Sequence, residues 1–276
     1  MENENKISRD EYIKNLFHDS ASSLLEKVRS GEAVFLPNKK SLEFAKSENS
    51  PVTQYPKNVR KATNGNSFAG MTQIFAQQAL KNAGIEPTEN NFDLLSYDEV
   101  KTKLGANFKN YKEAVKINLP FMAQDKDGVD RNYYHTLFSA SEVKEQNLLP
   151  KIADRRHYTV QEFKPENANV SEYLGKYLAA AKQGGKFITT KKLAAEFKDN
   201  IEKELSQVVE QGNYKKLFEM GKEASSIANV AIAKLYHAND FMPKEEYIAK
   251  KNQEKEQKKA KTQTPQDKTQ SFSMAD

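Results

Sequence analysis

The chain contains no cysteine and no tryptophan among its 276 residues. Without cysteine it cannot form disulfides, thiolate metal sites or iron–sulfur clusters, and it has no cysteine nucleophile. No apolar run approaches the roughly 18 residues that a membrane-spanning helix needs, and the N-terminus lacks the apolar segment of a secretory signal. The sequence therefore predicts a protein without a membrane partner, and the cytoplasm is its expected compartment.

The motifs of common enzyme classes are also missing. None of the four histidines begins an H-E-x-x-H zinc site, and no phosphate-binding glycine loop or G-x-S-x-G elbow occurs. Carboxylate pairs are too frequent in a chain this charged to nominate an acid and a base. We therefore expect no catalytic residue, no metal and no cofactor. The histidines, expected to be surface or packing residues, are His18, His135, His157 and His237.

Aromatic and basic residues are what the chain has in quantity. Its 15 Phe and 12 Tyr are too many for a disordered chain, although the apolar fraction of 37% is low for a compact globule. The formal net charge of +5 is compatible with a polyanionic partner and equally with a solvated lysine-rich surface. Two basic clusters are Lys39, Lys40, Lys46, Lys57, Arg60 and Lys61, and then Arg155, Arg156 and His157.

Apolar spacing predicts helices in the first part of the chain. Ile7 to Val28 has apolar residues three, four and seven apart, with an interruption near Ser20. Phe68 to Ala83 repeats this spacing, and Gly84 ends it. The polar, basic stretch 38–61 between these helices is predicted to be a loop.

The middle of the chain changes to strand-like patterning. Ser96 and Glu99 have the spacing of a capping box for a short helix. Two β-prone runs, Ala114 to Phe121 and Tyr133 to Phe138, then flank the polar stretch 125–130. The pattern predicts a β-hairpin closed by a polar turn rather than a calcium loop, because the closing Glu of such a loop is missing.

The last part of the chain is predicted to be helical. The expected helices, separated by Gly184–Gly185, Gly212 and Gly221, are Val170 to Ala181, Thr190 to Val209, Tyr214 to Met220 and Lys222 to Ala238. The fold class is therefore α+β. We expect an N-terminal domain (1–148) of helices packed on a small antiparallel sheet, a helical extension (149–247) and a disordered polar tail (248–276).

The stretch from Pro56 to Met71 contains the strongest sign of a binding function. It combines Arg, Lys, side-chain amides, an aromatic residue, a turn glycine and a second glycine that opens a helix. Cations suit phosphates, amides suit phosphates or base edges, and an aromatic face suits stacking, so the set fits a strand of nucleic acid. A basic turn with Phe68 as a core anchor fits the same residues equally well.

Several segments resemble the N-terminal domain of ArdC-type antirestriction proteins. The likeness covers about Ser8 to Gln146, but Thr72 stands where that family usually has Asn, and the family's tryptophans are missing. The segments that resemble the family are Leu24-Leu-Glu-Lys-Val-Arg-Ser-Gly31, Asn64-Gly-Asn-Ser-Phe-Ala-Gly70, Leu94-Leu-Ser-Tyr-Asp-Glu-Val100, Leu104-Gly-Ala and Leu137-Phe-Ser-Ala-Ser-Glu-Val143.

The resemblance implies a single-stranded-DNA-binding protein of a plasmid or phage that acts in conjugative transfer or antirestriction. The family's metallopeptidase-like domain is not implied, because no H-E-x-x-H follows. An alternative is a protein-interaction module that binds a protein of the transfer or restriction machinery through its C-terminal helices. The DNA-binding interpretation assigns phosphate contacts to Arg60, Lys61, Lys109 and Lys112, amide contacts to Asn64 and Asn66, stacking to Phe68, Tyr111 and Tyr133, and the helix opening to Gly70.

Overall fold

The computed structural model describes residues 7–87, 91–152 and 160–238. The helices are α1 (Arg9–Ser30), α2 (Lys39–Phe44), α3 (Gly70–Asn82), α4 (Val170–Gln183), α5 (Lys191–Gln211) and α6 (Tyr214–Ala238). The strands are β1 (Pro51–Gln54), β2 (Asn58–Lys61), β3 (Asn91–Ser96), β4 (Ile117–Gln124), β5 (Asp130–Ser139), β6 (Glu162–Phe163) and β7 (Lys186–Thr190). The predicted α+β class is confirmed.

The strands form two small sheets. The larger has the order β2-β3-β5-β4, in which β2 and β3 are parallel and the other pairs antiparallel. The smaller has the order β1-β7-β6, with β6 and β7 parallel. Parallel neighbours need a crossover connection, which α3 provides between β2 and β3, and α4 between β6 and β7.

The chain divides into two units, Met1–Ile232 and Ala233–Asp276. The smaller sheet lies within the first unit and crosses the boundary predicted at residue 148, because β1 pairs with β7. Two predicted features lie outside the described residues: the tail 248–276 and the basic cluster Arg155, Arg156 and His157. None of the described helices is long and apolar enough to cross a membrane.

The predicted interruption of the first helix near Ser20 is wrong. The helix α1 runs without a break from its cap at Ser8, whose hydroxyl accepts from the Glu11 N–H, to Gly31. Ala21 is fully buried and continues the apolar face between larger residues. A small buried side chain therefore continues the apolar face of the helix.

The predicted loop 38–61 is also wrong, because it contains α2, β1 and β2. Asn38 caps α2 through a hydrogen bond from the Ser41 N–H to its side-chain oxygen, at 2.8 Å. The strand β1 finds its partner more than a hundred residues later, in β7, where Val52 pairs with Thr189. The polar residues of this stretch predict a loop, because the local sequence does not show the pairing with β7.

The capping box and the hairpin are confirmed. The Ser96 N–H donates to Glu99 Oε2 (2.8 Å), and the Glu99 N–H donates to the Ser96 hydroxyl (3.2 Å). The helix at this capping box is a single π-helical turn, Glu99–Lys103. Strands β4 and β5 pair in register from Ile117 with Leu137 to Gln124 with Asp130. The Asp125 carboxylate accepts from two backbone N–H groups and closes the polar turn.

The predicted turns between helices at Gly184–Gly185 and Gly221 are wrong. Gly184–Gly185 ends α4 and leads into strand β7, so it is not a turn between two helices. Gly221 lies inside α6 and does not separate two helices. The position is glycine because another helix lies against it.

Candidate nucleic-acid interface

The turn after β2 folds the chain back so that Lys61 and Phe68 become neighbours. The Lys61 N–H donates to the Asn66 carbonyl (2.9 Å), and the Phe68 N–H donates to the Val59 carbonyl (3.1 Å). Gly65 has the left-handed conformation (φ 71°) that glycine adopts without steric cost. As a result, the Lys61 ammonium lies 5.9 Å from the centroid of the Phe68 ring.

Two glycines bring the start of α3 against α6. A Cβ on Gly221 would lie 2.4 Å from the Met71 nitrogen, and one on Gly70 would lie 2.6 Å from the Gly221 carbonyl oxygen. The Gly70 N–H donates to the Ser225 hydroxyl (2.8 Å). The close approach that Gly70 permits is therefore that of another helix.

Beside this crossing lies an open cleft of about 710 Å³, here called the ring cleft. Its walls are the end of β2 with the start of α3, the β4–β5 hairpin, and α6. Residues that line it include Lys61, Phe68, Gly70, Thr72, Phe121, His135, Phe218 and Lys222. Three parts of the chain that are distant in sequence thus form one concave surface.

Aromatic rings stack along one wall of the ring cleft. Phe121 on β4 pairs directly with Tyr133 on β5, and their ring centroids are 5.5 Å apart. His135, two residues beyond Tyr133 and therefore on the same face of the strand, lies parallel to Phe121 at 4.2 Å with 7° between the planes. Phe121 covers one face of the imidazole, while His135 as a residue remains exposed.

Charged residues of both signs line the ring cleft. Asp130 forms an ion pair with Lys215 at 2.9 Å, and Glu219 lies 4.0 Å from the same ammonium. The hydrogen bond from Lys215 lowers the pKa of Asp130. Among the described residues, no carboxylate lies within 4 Å of Lys61 or Lys222, so these two lysines remain available to an anion.

The environment of His135 favours the neutral form of its ring. Partial burial against Phe121 lowers its pKa from 6.5, and the nearby charge of Lys61 lowers it further, against a smaller opposite effect of Glu99. A neutral imidazole is an aromatic plane that can stack. At neutral pH the positive charge of this part of the cleft therefore comes from lysine.

The predicted residues of the turn make different kinds of contact. Arg60 pairs through Nε and one terminal nitrogen with the two Asp93 oxygens, at 2.7 and 2.8 Å, so its charge is compensated. The Asn64 side-chain oxygen accepts from the Asn66 N–H (2.9 Å) and stabilises the turn. Phe68 is only 7% exposed and presents little of its ring for stacking.

The other predicted residues separate into two groups. Lys61 and Gly70 line the ring cleft, and Tyr133 contacts its ring stack. Lys109, Tyr111 and Lys112 lie outside the cleft lining, on the exposed segment that follows the π-helical turn. Asn66 is exposed on the turn. The structure therefore does not bring all the predicted contacts into one pocket.

Sequence reasoning missed Phe121, His135 and Lys222. The first two could have been found from the hairpin, because a turn over residues 125–129 sets Phe121 opposite Tyr133. Aromatic residues at alternate positions of paired strands share one face. Nothing in the local sequence marks Lys222, since the crossing at Gly221 brings it to the cleft.

Within residues 7–87, 91–152 and 160–238, no cluster of three or more His, Asp or Glu side chains is arranged to hold a metal ion. No protein-family model matches the chain, and no curated protein matches it. Among solved structures, it is similar to the crystal structure of the antirestriction ArdC protein from the R388 plasmid, in an Mn(II)-bound form. The TM-score is 0.42 and the identity 10%, over 78% of this chain and 96% of that one. Because this likeness is distant, the functional inference depends on the ring cleft itself.

Proposed function

We propose that the ring cleft binds single-stranded DNA. The observation that supports this proposal is the stack of Phe121, Tyr133 and His135 on a β-hairpin, next to two lysines that have no carboxylate within 4 Å in the described part of the chain. A single strand has unpaired bases that can stack on such rings and phosphates that attract lysine. Duplex DNA keeps its bases stacked inside and offers only its phosphates to this surface.

The chemistry of the cleft predicts binding that tolerates base sequence. Every base has an aromatic face, so stacking on His135 or Tyr133, the two rings that flank Phe121, does not select one base strongly. The two available cations, Lys61 and Lys222, are point charges that contact phosphate. We therefore expect an affinity that falls steeply with salt and changes little between homopolymers.

The biological setting is proposed from sequence resemblance. The segments between Ser8 and Gln146 that resemble ArdC-type proteins support a role on a plasmid or phage, in conjugative transfer or in protection from restriction. In this proposal the chain acts by binding and not by catalysis. Its partner is the single strand, and a protein of the transfer or restriction machinery is the alternative.

Fluorescence anisotropy tests the proposal with a labelled oligothymidylate of about 12 nucleotides, a length within the usual range for such grooves. The same strand in a duplex is titrated in parallel, each at several salt concentrations. We expect tighter binding of the single strand. In the double variant Lys61→Gln/Lys222→Gln, the slope of log affinity against log salt should decrease by about 1.4, because two phosphate contacts are lost.

The matched control is Lys191→Gln/Lys203→Gln, which removes two exposed lysines of α5 that do not line the ring cleft. It should leave the slope unchanged. The proposal is wrong if the wild-type protein does not retain the oligonucleotide at low salt, or if the cleft variant and the control bind alike. Association with a protein that survives nuclease and high salt, in the absence of oligonucleotide binding, would support the alternative partner.

A further inference from the structure

A second aromatic surface follows strand β3, and we call it the tyrosine patch. It consists of the exposed Tyr97 and Tyr111 over the buried Phe108 and Phe138. Tyr97 and Tyr111 contact each other edge to face with centroids 5.1 Å apart, and Tyr97 stacks on Phe108 at 5.9 Å. The two tyrosines are 46% and 44% exposed, which is unusual for rings packed on a core.

Lysines are concentrated around the tyrosine patch. The segment 97–116 contains five lysines and three carboxylates. The Lys116 ammonium lies 5.6 Å from the centroid of Tyr111, and no carboxylate among the described residues lies within 4 Å of Lys109 or Lys112. Exposed rings that are surrounded by uncompensated cations suit a polyanion with aromatic bases.

The carboxylates of this segment are largely occupied. Asp98 accepts from the Thr102 hydroxyl, and Glu99 belongs to the capping box. Although burial raises the pKa of Glu99, hydrogen bonds from Ser96 and Thr63 and the charge of Lys103 lower it overall. Glu113 is the remaining carboxylate, so cations dominate the accessible charge.

Contacts through Glu99 link the tyrosine patch to the ring cleft. The Thr63 hydroxyl, in the turn after Lys61, donates to Glu99 Oε1 at 3.1 Å. Glu99 is also near enough to influence His135, as is Lys61. Phe138 of the patch and His135 of the cleft are three residues apart on β5, so their side chains lie on opposite faces of the sheet. The two surfaces therefore meet around the β2 edge of this sheet, where Thr63 contacts Glu99.

From these contacts we infer that the tyrosine patch is a second contact surface for the same strand of DNA, which extends from the ring cleft past Thr63 to Tyr97 and Tyr111. This inference depends on the proposed function of the ring cleft. It predicts that a short oligonucleotide occupies the cleft alone and that a longer one occupies both surfaces. Joining two contacts on one strand raises the affinity without any change in either contact.

The test compares an oligothymidylate of about 6 nucleotides, near the lower end of the usual site sizes, with one of about 24 nucleotides, which exceeds them. Anisotropy is measured for the wild type, Lys109→Gln/Lys112→Gln, Lys61→Gln/Lys222→Gln and the α5 control Lys191→Gln/Lys203→Gln. The patch variant should lower the salt slope by about 1.4 for the long oligonucleotide only. The cleft variant should lower it for both lengths.

Tyr97→Ala provides a second measurement, because it removes an exposed ring and keeps every charge. It should reduce the gain in affinity between the short and long oligonucleotides, with short-oligonucleotide binding unchanged. The inference is overturned if the patch variants bind both lengths like the wild type, or weaken both equally. If the wild-type protein binds neither length, the proposed function itself fails. If it binds both and only the cleft variant matters, the second contact alone is wrong.

Discussion

The ring cleft and the tyrosine patch combine the same kinds of side chain but are assembled in different ways. The patch comes largely from one continuous segment, 97–116, packed on Phe138. The cleft needs β2, α3, the β4–β5 hairpin and α6, and α6 approaches α3 only because Gly221 lies against Met71. The cleft therefore depends on packing between elements that are distant in sequence, whereas the patch depends mainly on one segment and its contact with Phe138.

The largest expected effect is that of Gly221→Val, which disturbs the helix contact on which the ring cleft depends. A Cβ at this position would meet the Met71 backbone nitrogen at 2.4 Å, so the helices must separate. We expect the free energy of unfolding to fall by about 3 kcal/mol, the upper part of the usual range for overpacking. Urea denaturation measures this change.

Ser226→Val is the control for that experiment, because Ser226 is exposed on the same helix and a β-branched residue there costs little. If Gly221→Val unfolds at the same urea concentration as the control, the glycine contact is not needed. Binding of a long oligonucleotide by the folded fraction of Gly221→Val should persist partly, through the tyrosine patch.

A second prediction distinguishes the roles of two adjacent residues of β2, Arg60 in stability and Lys61 in DNA binding. Arg60→Ala leaves the Asp93 carboxylate, 27% exposed, without its two charged hydrogen bonds, and should lower the free energy of unfolding by about 2 kcal/mol. Lys61→Ala should change stability little but weaken DNA binding. Thermal unfolding and anisotropy on both variants check this division. Weaker binding with unchanged stability for Arg60→Ala would show that its guanidinium contacts DNA instead.

Contacts within one segment can be predicted from the sequence, and contacts between distant segments cannot. Lys109, Tyr111 and Lys112 were predicted together because their spacing within one segment is visible in the sequence. The sequence predicts that Arg60 is available to a phosphate. Its actual partner, Asp93, lies opposite it only through the parallel register of β2 and β3, which the local sequence does not reveal. Whether a charge is compensated is a property of distant pairing, which local patterns do not contain.

Gly221 is a second example of this limit. A glycine within a helical pattern is typical of a helix end, and also of a position where another backbone comes close. The sequence cannot distinguish the two, since the approaching residue, Met71, lies about 150 positions earlier. The hairpin was predictable, because its polar turn and alternating aromatic residues are local. The length of the turn also fixes the hairpin register, which places Phe121 opposite Tyr133.

A third prediction tests the ring stack directly. His135→Ala removes the exposed ring that lies on Phe121 and should weaken binding of a short oligonucleotide by about 1 kcal/mol, the lower limit for stacking of one base. His135→Phe keeps an aromatic plane and should bind like the wild type. If both variants bind like the wild type, His135 takes no base, and the stack is only structural.

The smallest expected effect concerns pH and again distinguishes the cleft from the patch. Because the pKa of His135 is lowered from 6.5, its ring is neutral at pH 7.5 and gains a proton as the pH falls below 6.5. The added cation should then steepen the salt slope of cleft binding by about 0.7, as one more phosphate is neutralised. The unfolded chain binds this proton more tightly, so stability should decrease over the same pH range. Short-oligonucleotide titrations at pH 7.5 and 5.5 measure the slope, and His135→Phe should show no such increase. An equal increase in that variant would assign the effect to other groups. The tyrosine patch contains no histidine, so binding there should not change over this pH range.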